Sequence, residues 1–85
     1  MRSAPLGPPS EPPRVAFSVG RSVGNAVTRN RVRRRLRAAV RENAELLRPG
    51  WGYLVSGAPA TARTPYADLS TTLGALLRQE SRESA

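Results

Sequence analysis

The sequence contains no histidine, no cysteine and no lysine. Without cysteine it can form neither a disulfide framework nor a thiolate metal site, and without histidine it lacks the commonest general base. No apolar run approaches the ~20 residues of a membrane-spanning helix, and the first residues lack the apolar stretch of a secretory signal. These absences favour a non-catalytic protein of the cytoplasm.

The chain is short, with 85 residues, and most of its eight prolines lie in residues 1–13. That composition predicts a disordered, proline-rich tail over residues 1–13. We expect a single domain over residues 14–80 and a second disordered tail over residues 81–85. A domain this small buries only ~60% of the surface that its unfolded chain exposes, so we expect marginal stability without a partner.

Positive charge is abundant and is concentrated in one segment of the chain. The chain has 14 arginines against six acidic residues, a net charge of +8, and residues 21–41 contain eight arginines without one acid. A patch of this density suits phosphate, because each neutralised phosphate releases condensed counterions. An anionic membrane surface is the competing partner.

Residues 14–19 alternate between apolar and polar positions, which predicts a strand with Val15, Phe17 and Val19 on its buried face. A helix is predicted from about Ala26 to Leu47, and Asn25 is its candidate cap. At ~100° per residue, one arc of this helix is apolar and the rest is basic. The arc holds Val32, Leu36, Ala39, Val40, Asn43, Leu46 and Leu47.

The second half of the chain repeats this order of elements. Residues 50–56 predict a strand with Trp51, Tyr53 and Val55 on one face. Thr64 followed by proline is typical of a helix start, and apolar residues at helical spacing continue to about Gln79. The order strand, helix, strand, helix predicts an α/β (α+β) fold with two parallel strands in a small sheet.

A sequence motif spans the turn before the basic helix and the first part of that helix. Residues 23–37 read Val-Gly-Asn-Ala-Val-Thr-Arg-Asn-Arg-Val-Arg-Arg-Arg-Leu-Arg, after the strand Arg-Val-Ala-Phe-Ser-Val. This segment resembles the signature of the bacterial ribonuclease P protein subunit, whose Arg-Asn-Arg motif opens an RNA-binding helix. The resemblance covers about residues 14–79. It implies a left-handed crossover. The chain departs from the family's pattern in having a proline-rich tail in place of the first helix and first strands, so we expect an amino-terminally shortened member or, alternatively, a degenerate one.

The resemblance also implies a function. In that family the catalyst is a large RNA with bound Mg²⁺, and the protein helps it to hold precursor tRNA while the 5′ leader is removed. We therefore expect an accessory endoribonuclease subunit with ribonuclease P RNA and precursor tRNA as partners, without catalytic residues or a metal of its own. Neither a membrane nor an obligate protein partner is expected.

The family's basic motif can be placed on this sequence residue by residue. The turn before it falls on Gly24 and Asn25. The expected RNA-binding residues are Arg21, Asn25, Arg29, Asn30, Arg31, Arg33, Arg34 and Arg37. Arginine can fork two hydrogen bonds onto a phosphate, and an asparagine amide can reach a 2′-hydroxyl or a base edge.

Finer roles are hypotheses. Arg29 lies within the apolar arc at its amino-terminal end, which predicts a guanidinium beside the core. We expect Arg29 and Arg33 to face the substrate, and a second set to face the RNA subunit: Arg31, Arg34 and Arg37. Arg35 and Arg41 would give general electrostatic support. Phe17 is a candidate leader contact, although a strand aromatic between two valines is more often part of the core.

Composition alone supports a basic structural RNA-binding protein of the ribosomal-protein type equally well. The order Gly-Asn-x-x-x-Arg-Asn-Arg between a strand and a helix favours the ribonuclease P resemblance. A membrane-surface helix is disfavoured, because the apolar arc has no tryptophan or phenylalanine anchor. An independent protein nuclease is disfavoured because the basic region has no acidic cluster and no histidine.

Overall fold

Three strands and two α-helices form the fold of the computed structural model, which describes residues 1–84. The strands are β1 (Arg2–Pro5), β2 (Arg14–Val19) and β3 (Trp51–Gly57), and the helices are α1 (Ala26–Glu42) and α2 (Tyr66–Ser84). Short 3-10 helices cover Arg21–Val23, Ala44–Leu46 and Pro59–Arg63. From β2 onward the order is strand, helix, strand, helix, so the predicted small α+β fold is confirmed.

β3 is the central strand of the sheet, whose strand order is β1-β3-β2. β2 runs parallel to β3, with Arg14 opposite Gly52 and Val19 opposite Gly57. Parallel neighbours need a crossover connection, and the segment that contains α1 supplies it. The parallel pairing predicted from the order of elements is therefore confirmed, whereas the left-handed sense of the crossover stays a prediction.

β1 lies in the segment for which the sequence predicted a disordered tail. It pairs antiparallel with β3, with Arg2 opposite Leu54 and Pro5 opposite Trp51. The prediction is therefore wrong for Arg2–Pro5, and so is the expectation that no strand precedes β2. The reason is that this pairing uses main-chain groups, which a reading of side-chain pattern and proline content does not register.

The loop between β1 and β2 is tied to the start of β3 at Gly50. The carbonyl oxygen of Gly50 accepts hydrogen bonds from the N–H groups of Leu6 (2.8 Å) and Gly7 (3.0 Å), and its own N–H donates to the carbonyl oxygen of Glu11 (2.8 Å). Gly50 has a φ of 80°, and a Cβ there would lie 2.7 Å from the carbonyl oxygens of Gly7 and Pro8. This crossing of two chain segments therefore requires glycine.

The core lies between one face of the sheet and both helices. Its strand residues come from the alternating positions that the sequence placed inside, including Val19, Tyr53 and Val55. The full set of buried apolar residues is Val19, Val23, Val32, Leu36, Ala39, Val40, Tyr53, Val55, Leu73 and Leu77. Within the described residues, neither helix has the length and apolar character needed to cross a membrane.

α1 ends at Glu42, five residues before the predicted end at Leu47. The side-chain amide of Asn43 donates hydrogen bonds to the carbonyl oxygens of Ala39 (2.8 Å) and Ser70 (3.2 Å). Asn43 thereby satisfies a carbonyl at the end of α1 and links it to α2. Leu46 lies in a 3-10 helix and Leu47 follows it, and both still pack against the core, so their contact with the core was predicted correctly and their place in α1 was not.

α2 differs from its prediction at both ends. The helix begins at Tyr66, one residue after the start expected at Pro65. The Thr64 hydroxyl donates a hydrogen bond to the carbonyl oxygen of Ala60 (2.9 Å), and the cap at Thr64 stays a prediction. The helix continues past Gln79 to Ser84, so it occupies residues 81–84 of the predicted tail, and residue 85 lies outside the described residues.

Candidate nucleic-acid interface

The start of α1 is fixed by Gly24 and Asn25. Gly24 has a φ of 151°, and a Cβ there would lie 2.9 Å from the methyl carbon of Thr28. The Asn25 side-chain oxygen accepts a hydrogen bond from the Thr28 N–H at 2.9 Å, so the predicted cap is confirmed. This cap sets the direction in which the arginines of α1 project, while the RNA contact expected of Asn25 stays a prediction.

The arginines of α1 surround its buried face. Asn30 is exposed, as is Arg21 in the 3-10 helix before α1. The exposed arginines of the helix are Arg31, Arg34, Arg37 and Arg41. The half-buried ones are Arg29, Arg33 and Arg35. α1 therefore packs on one side and is basic on the other, as its sequence predicted.

An open groove of about 670 Å³, here called the Asn30 groove, lies along the side of α1 next to β2. Its lining residues are Val27, Asn30, Arg33, Arg34 and Arg37. The Arg33 guanidinium donates to the Asn30 side-chain oxygen (3.2 Å) and to the carbonyl oxygen of Val19 (3.4 Å). Arg33 is therefore held between the helix and the end of β2.

The Asn30 groove bears on the predicted division of the arginines between two RNAs. Arg33 was expected to face the substrate, whereas Arg34 and Arg37 were expected to face the RNA subunit. All three line this one groove. The division therefore does not correspond to two separate surfaces for these residues, because positions 33, 34 and 37 adjoin one another on the helix.

Phe17 lies against the core and under Arg37. It packs with the buried cluster, and the guanidinium carbon of Arg37 lies 5.7 Å from the centre of its ring. A cation over a ring at this distance is an attractive cation–π contact. An RNA base that stacks on this face of Phe17 would have to displace Arg37, so the geometry favours the core role for Phe17.

Arg29 lies at the border of the core, where its place in the apolar arc predicted it. It is half-buried, and its Nε is buried without a hydrogen-bond partner within the described residues. A buried donor without a partner is costly, and an incoming acceptor would relieve that cost. The contact with substrate that the sequence suggested for Arg29 stays a prediction.

A second cavity, here called the Tyr66 groove, lies where α2 begins beside α1 and has a volume of about 280 Å³. Its lining residues are Arg31, Arg34, Arg35, Ala38 and Tyr66. The Arg35 guanidinium donates to the carbonyl oxygen of Thr64, which ties α1 to the residues before α2. The sequence assigned Arg35 to general electrostatic support, and nothing in it shows that Arg35 lies near Tyr66.

The Tyr66 hydroxyl lies beside the Glu42 carboxylate, which accepts a hydrogen bond from the Ser70 hydroxyl at 2.7 Å. The pKa of Tyr66 is raised above its ordinary value, first by burial and then by the hydrogen bond to Glu42 and the negative charge of that carboxylate. All three effects favour the neutral phenol. The hydroxyl end of the ring therefore faces a negative charge.

A third groove, of about 550 Å³, lies on the sheet face opposite the helices. It contains the apolar side chains of Ala16 and Leu54, with Arg2 and Arg14 among its lining residues. The sheet register explains this arrangement, since Arg2 lies opposite Leu54 and Arg14 lies opposite Gly52. This surface was not predicted, because side-chain pattern alone indicates no strand at Arg2–Pro5.

The hydrogen bonds of the α1 arginines within residues 1–80 go to neutral groups. Arg33 donates to an amide and a carbonyl oxygen, and Arg35 donates to a carbonyl oxygen. Such contacts orient a guanidinium without neutralising it, so its charge still attracts an anion. In the described part of the chain, no three Asp, Glu, His or Cys residues lie together as a metal site would require.

Comparison with known proteins gives one match. The sequence model of the family described as Ribonuclease P matches residues 3–80. That span covers β2, α1 and β3, with most of β1 and of α2. The match therefore includes the basic helix with both grooves beside it. No curated protein and no solved structure matches the chain.

Proposed function

Because the chain belongs to the ribonuclease P protein family, with a role in tRNA processing, we propose that it binds the RNA subunit of ribonuclease P through the arginines of α1. The complex would hold precursor tRNA for removal of its 5′ leader. In this proposal the RNA, with its Mg²⁺, performs the cleavage, and the protein acts as an accessory subunit without catalytic residues. The cytoplasmic location expected from the sequence remains a prediction.

The observation that carries the proposal is the basic surface of α1. Eight arginines lie in residues 21–41 without an acidic neighbour in that segment, and those whose hydrogen bonds are described contact neutral groups. A rigid helix thus presents closely spaced guanidinium groups. Phosphates of a folded RNA are spaced closely enough to meet several of them, and each contact releases counterions.

The Asn30 groove is the proposed centre of this contact. Arg33 is already oriented by its two hydrogen bonds, so little side-chain entropy is lost when a phosphate binds. Asn30 offers an amide that can reach a 2′-hydroxyl or a base edge. We assign Arg34 and Arg37 to the phosphates on either side of the one that Arg33 binds. Arg21, Asn25, Arg29 and Arg31 are proposed as further contacts around this centre.

Reconstitution with ribonuclease P RNA tests the proposal. At a low Mg²⁺ concentration the RNA alone should cleave precursor tRNA poorly, and the wild-type protein should restore cleavage at the 5′ end of the mature sequence. The variant Arg33→Gln, combined with Arg34→Gln, should bind the RNA at least about tenfold more weakly, because two charged hydrogen-bond donors are lost.

The matched control is Arg63→Gln combined with Arg78→Gln, since these exposed arginines line neither groove. This control should restore cleavage as the wild type does. A basic protein of the ribosomal type would bind RNA without rescuing cleavage. Failure of the wild-type protein to rescue cleavage under any Mg²⁺ limitation would reject the proposal in favour of that alternative.

A further inference from the structure

The Tyr66 groove differs from the rest of the basic surface because it has an aromatic wall. The Tyr66 ring and the Ala38 methyl group give it apolar sides, and Arg31, Arg34 and Arg35 surround them. Its volume of about 280 Å³ is just under the ~300 Å³ at which pockets for small organic ligands begin. It is therefore large enough for one flat ring system and too small for a longer ligand.

The walls of the groove are held in place. Arg35 donates to the Thr64 carbonyl oxygen, two residues before Tyr66. The Tyr66 hydroxyl lies beside Glu42, whose carboxylate accepts a hydrogen bond from Ser70 at 2.7 Å. Tyr66 is half-buried, and a ring that is already restricted loses little freedom when a second ring stacks on it.

Charge is unequal along the groove. Glu42, the last residue of α1, lies near the hydroxyl end of Tyr66, and the arginines of the groove lie about two to three turns earlier in the same helix. A ligand with a flat apolar part and an anionic part would therefore place its anion toward the arginines. A nucleotide within an RNA chain has this character, because a stacking base is attached to phosphates on both sides.

We propose that the Tyr66 groove binds one unpaired nucleobase of an RNA, stacked on the Tyr66 ring, with Arg31 and Arg34 on the flanking phosphates. This inference rests on the proposed function and adds a base-stacking subsite to it. Arg35 acts as a positioning residue that holds the start of α2 against α1. Since Arg34 lines both grooves, one RNA strand can follow it from the Asn30 groove to the Tyr66 groove.

The test measures the affinity of ribonuclease P RNA for variants that alter the groove without altering charge. Tyr66→Leu removes the ring and should weaken binding about 5- to 150-fold, the range expected for one stacked base. Tyr66→Phe keeps the ring, so its affinity for the RNA should be much closer to that of the wild type than the affinity of Tyr66→Leu. The slope of log affinity against log salt should stay at its wild-type value in both, because no phosphate contact is removed.

Ala38→Leu gives a second test that leaves Tyr66 intact. It fills the groove with a helix-favouring side chain at a half-buried position, and it should weaken binding by a similar factor. The control is Ala75→Leu, the same substitution at an exposed position of α2, which should bind as the wild type does. Thermal unfolding identifies any variant that fails to fold. If Tyr66→Leu does not fold, the affinity of Ala38→Leu for the RNA decides whether the groove binds a base.

The outcomes separate the two proposals. Wild-type affinity in both Tyr66→Leu and Ala38→Leu would overturn the subsite, while the proposed function would stand if the Arg33→Gln and Arg34→Gln variant still lost binding. A reduced salt slope in Tyr66→Leu would also overturn it, because the ring would then act only by positioning the arginines. A wild-type protein that does not bind ribonuclease P RNA would reject both.

Discussion

At the scale of the residue, Tyr66 links acid–base chemistry to stability. Its pKa is raised by burial, by the hydrogen bond to Glu42 and by the charge of that carboxylate. A raised pKa in the folded state means that folding favours the protonated phenol. The stabilisation is therefore fully present below the ordinary value of about 10 and is lost as the pH rises through the pKa of the folded protein.

We therefore expect the free energy of unfolding in urea to fall as the pH is raised from about 9 to about 11. In Tyr66→Phe the phenol is absent, so the fall should be smaller. Tyr53 and all arginines are common to both proteins, which makes the difference between the two pH profiles specific to Tyr66. Identical profiles would contradict the assignment of the shift to this residue.

Several residue-level features could be predicted from the sequence because they depend on neighbours along the chain. The alternation of Val15, Phe17 and Val19 identified the buried face of β2, and Asn25 was identified as the helix cap. Contacts between distant segments were not predictable in this way. Tyr66 and the arginines of α1 line one cavity where α1 and α2 pack together. No pattern of neighbouring residues in the sequence indicates that they lie close to each other.

At the scale of the element, β1 is followed by a backbone crossing at Gly50. Gly50→Ala places a methyl group about 2.7 Å from the carbonyl oxygens of Gly7 and Pro8, at a φ of 80° that side chains rarely adopt. We expect it to destabilise the protein by about 1–3 kcal/mol. The measurement is urea unfolding, with amide hydrogen exchange in β1 as the local readout.

The matched control for Gly50 is Gly20→Ala. Gly20 has an ordinary φ of −84°, and a Cβ there meets nothing within 4 Å. This substitution should be neutral or stabilising by up to about 1 kcal/mol, since it restricts the unfolded chain. Equal effects at both glycines would show that the crossing does not hold β1 in the sheet.

The elements that the sequence predicted well are those in which apolar side chains recur at the regular spacing of a strand or a helix. β2, β3 and the apolar arc of α1 all pack the apolar residues that this spacing selects in or against the core. The ends of elements depend on individual hydrogen bonds instead. Asn43 ends α1 through its bonds to Ala39 and Ser70, and an asparagine within an apolar arc does not by itself predict a helix end.

At the scale of the whole molecule, the sheet separates two basic surfaces. Both helices cover one face, and the arginines of α1 project around that layer. The opposite face carries the groove with Arg2 and Arg14. Because the net charge of +8 comes from residues 21–41, with the remainder of the chain balanced, the interaction with RNA should depend on where charge is removed and not only on how much.

Two variants of equal net charge test this dependence on position. Arg31→Gln with Arg34→Gln and Arg63→Gln with Arg78→Gln each lower the net charge from +8 to +6, and all four arginines are exposed. If the α1 arginines contact phosphates, the first variant should reduce the slope of log affinity against log salt by roughly 1.5 to 2, and the second should leave it unchanged. The measurement is titration of ribonuclease P RNA at several salt concentrations. Equal slopes in the two variants would mean that the RNA responds to net charge, and the α1 surface would then not be the interface.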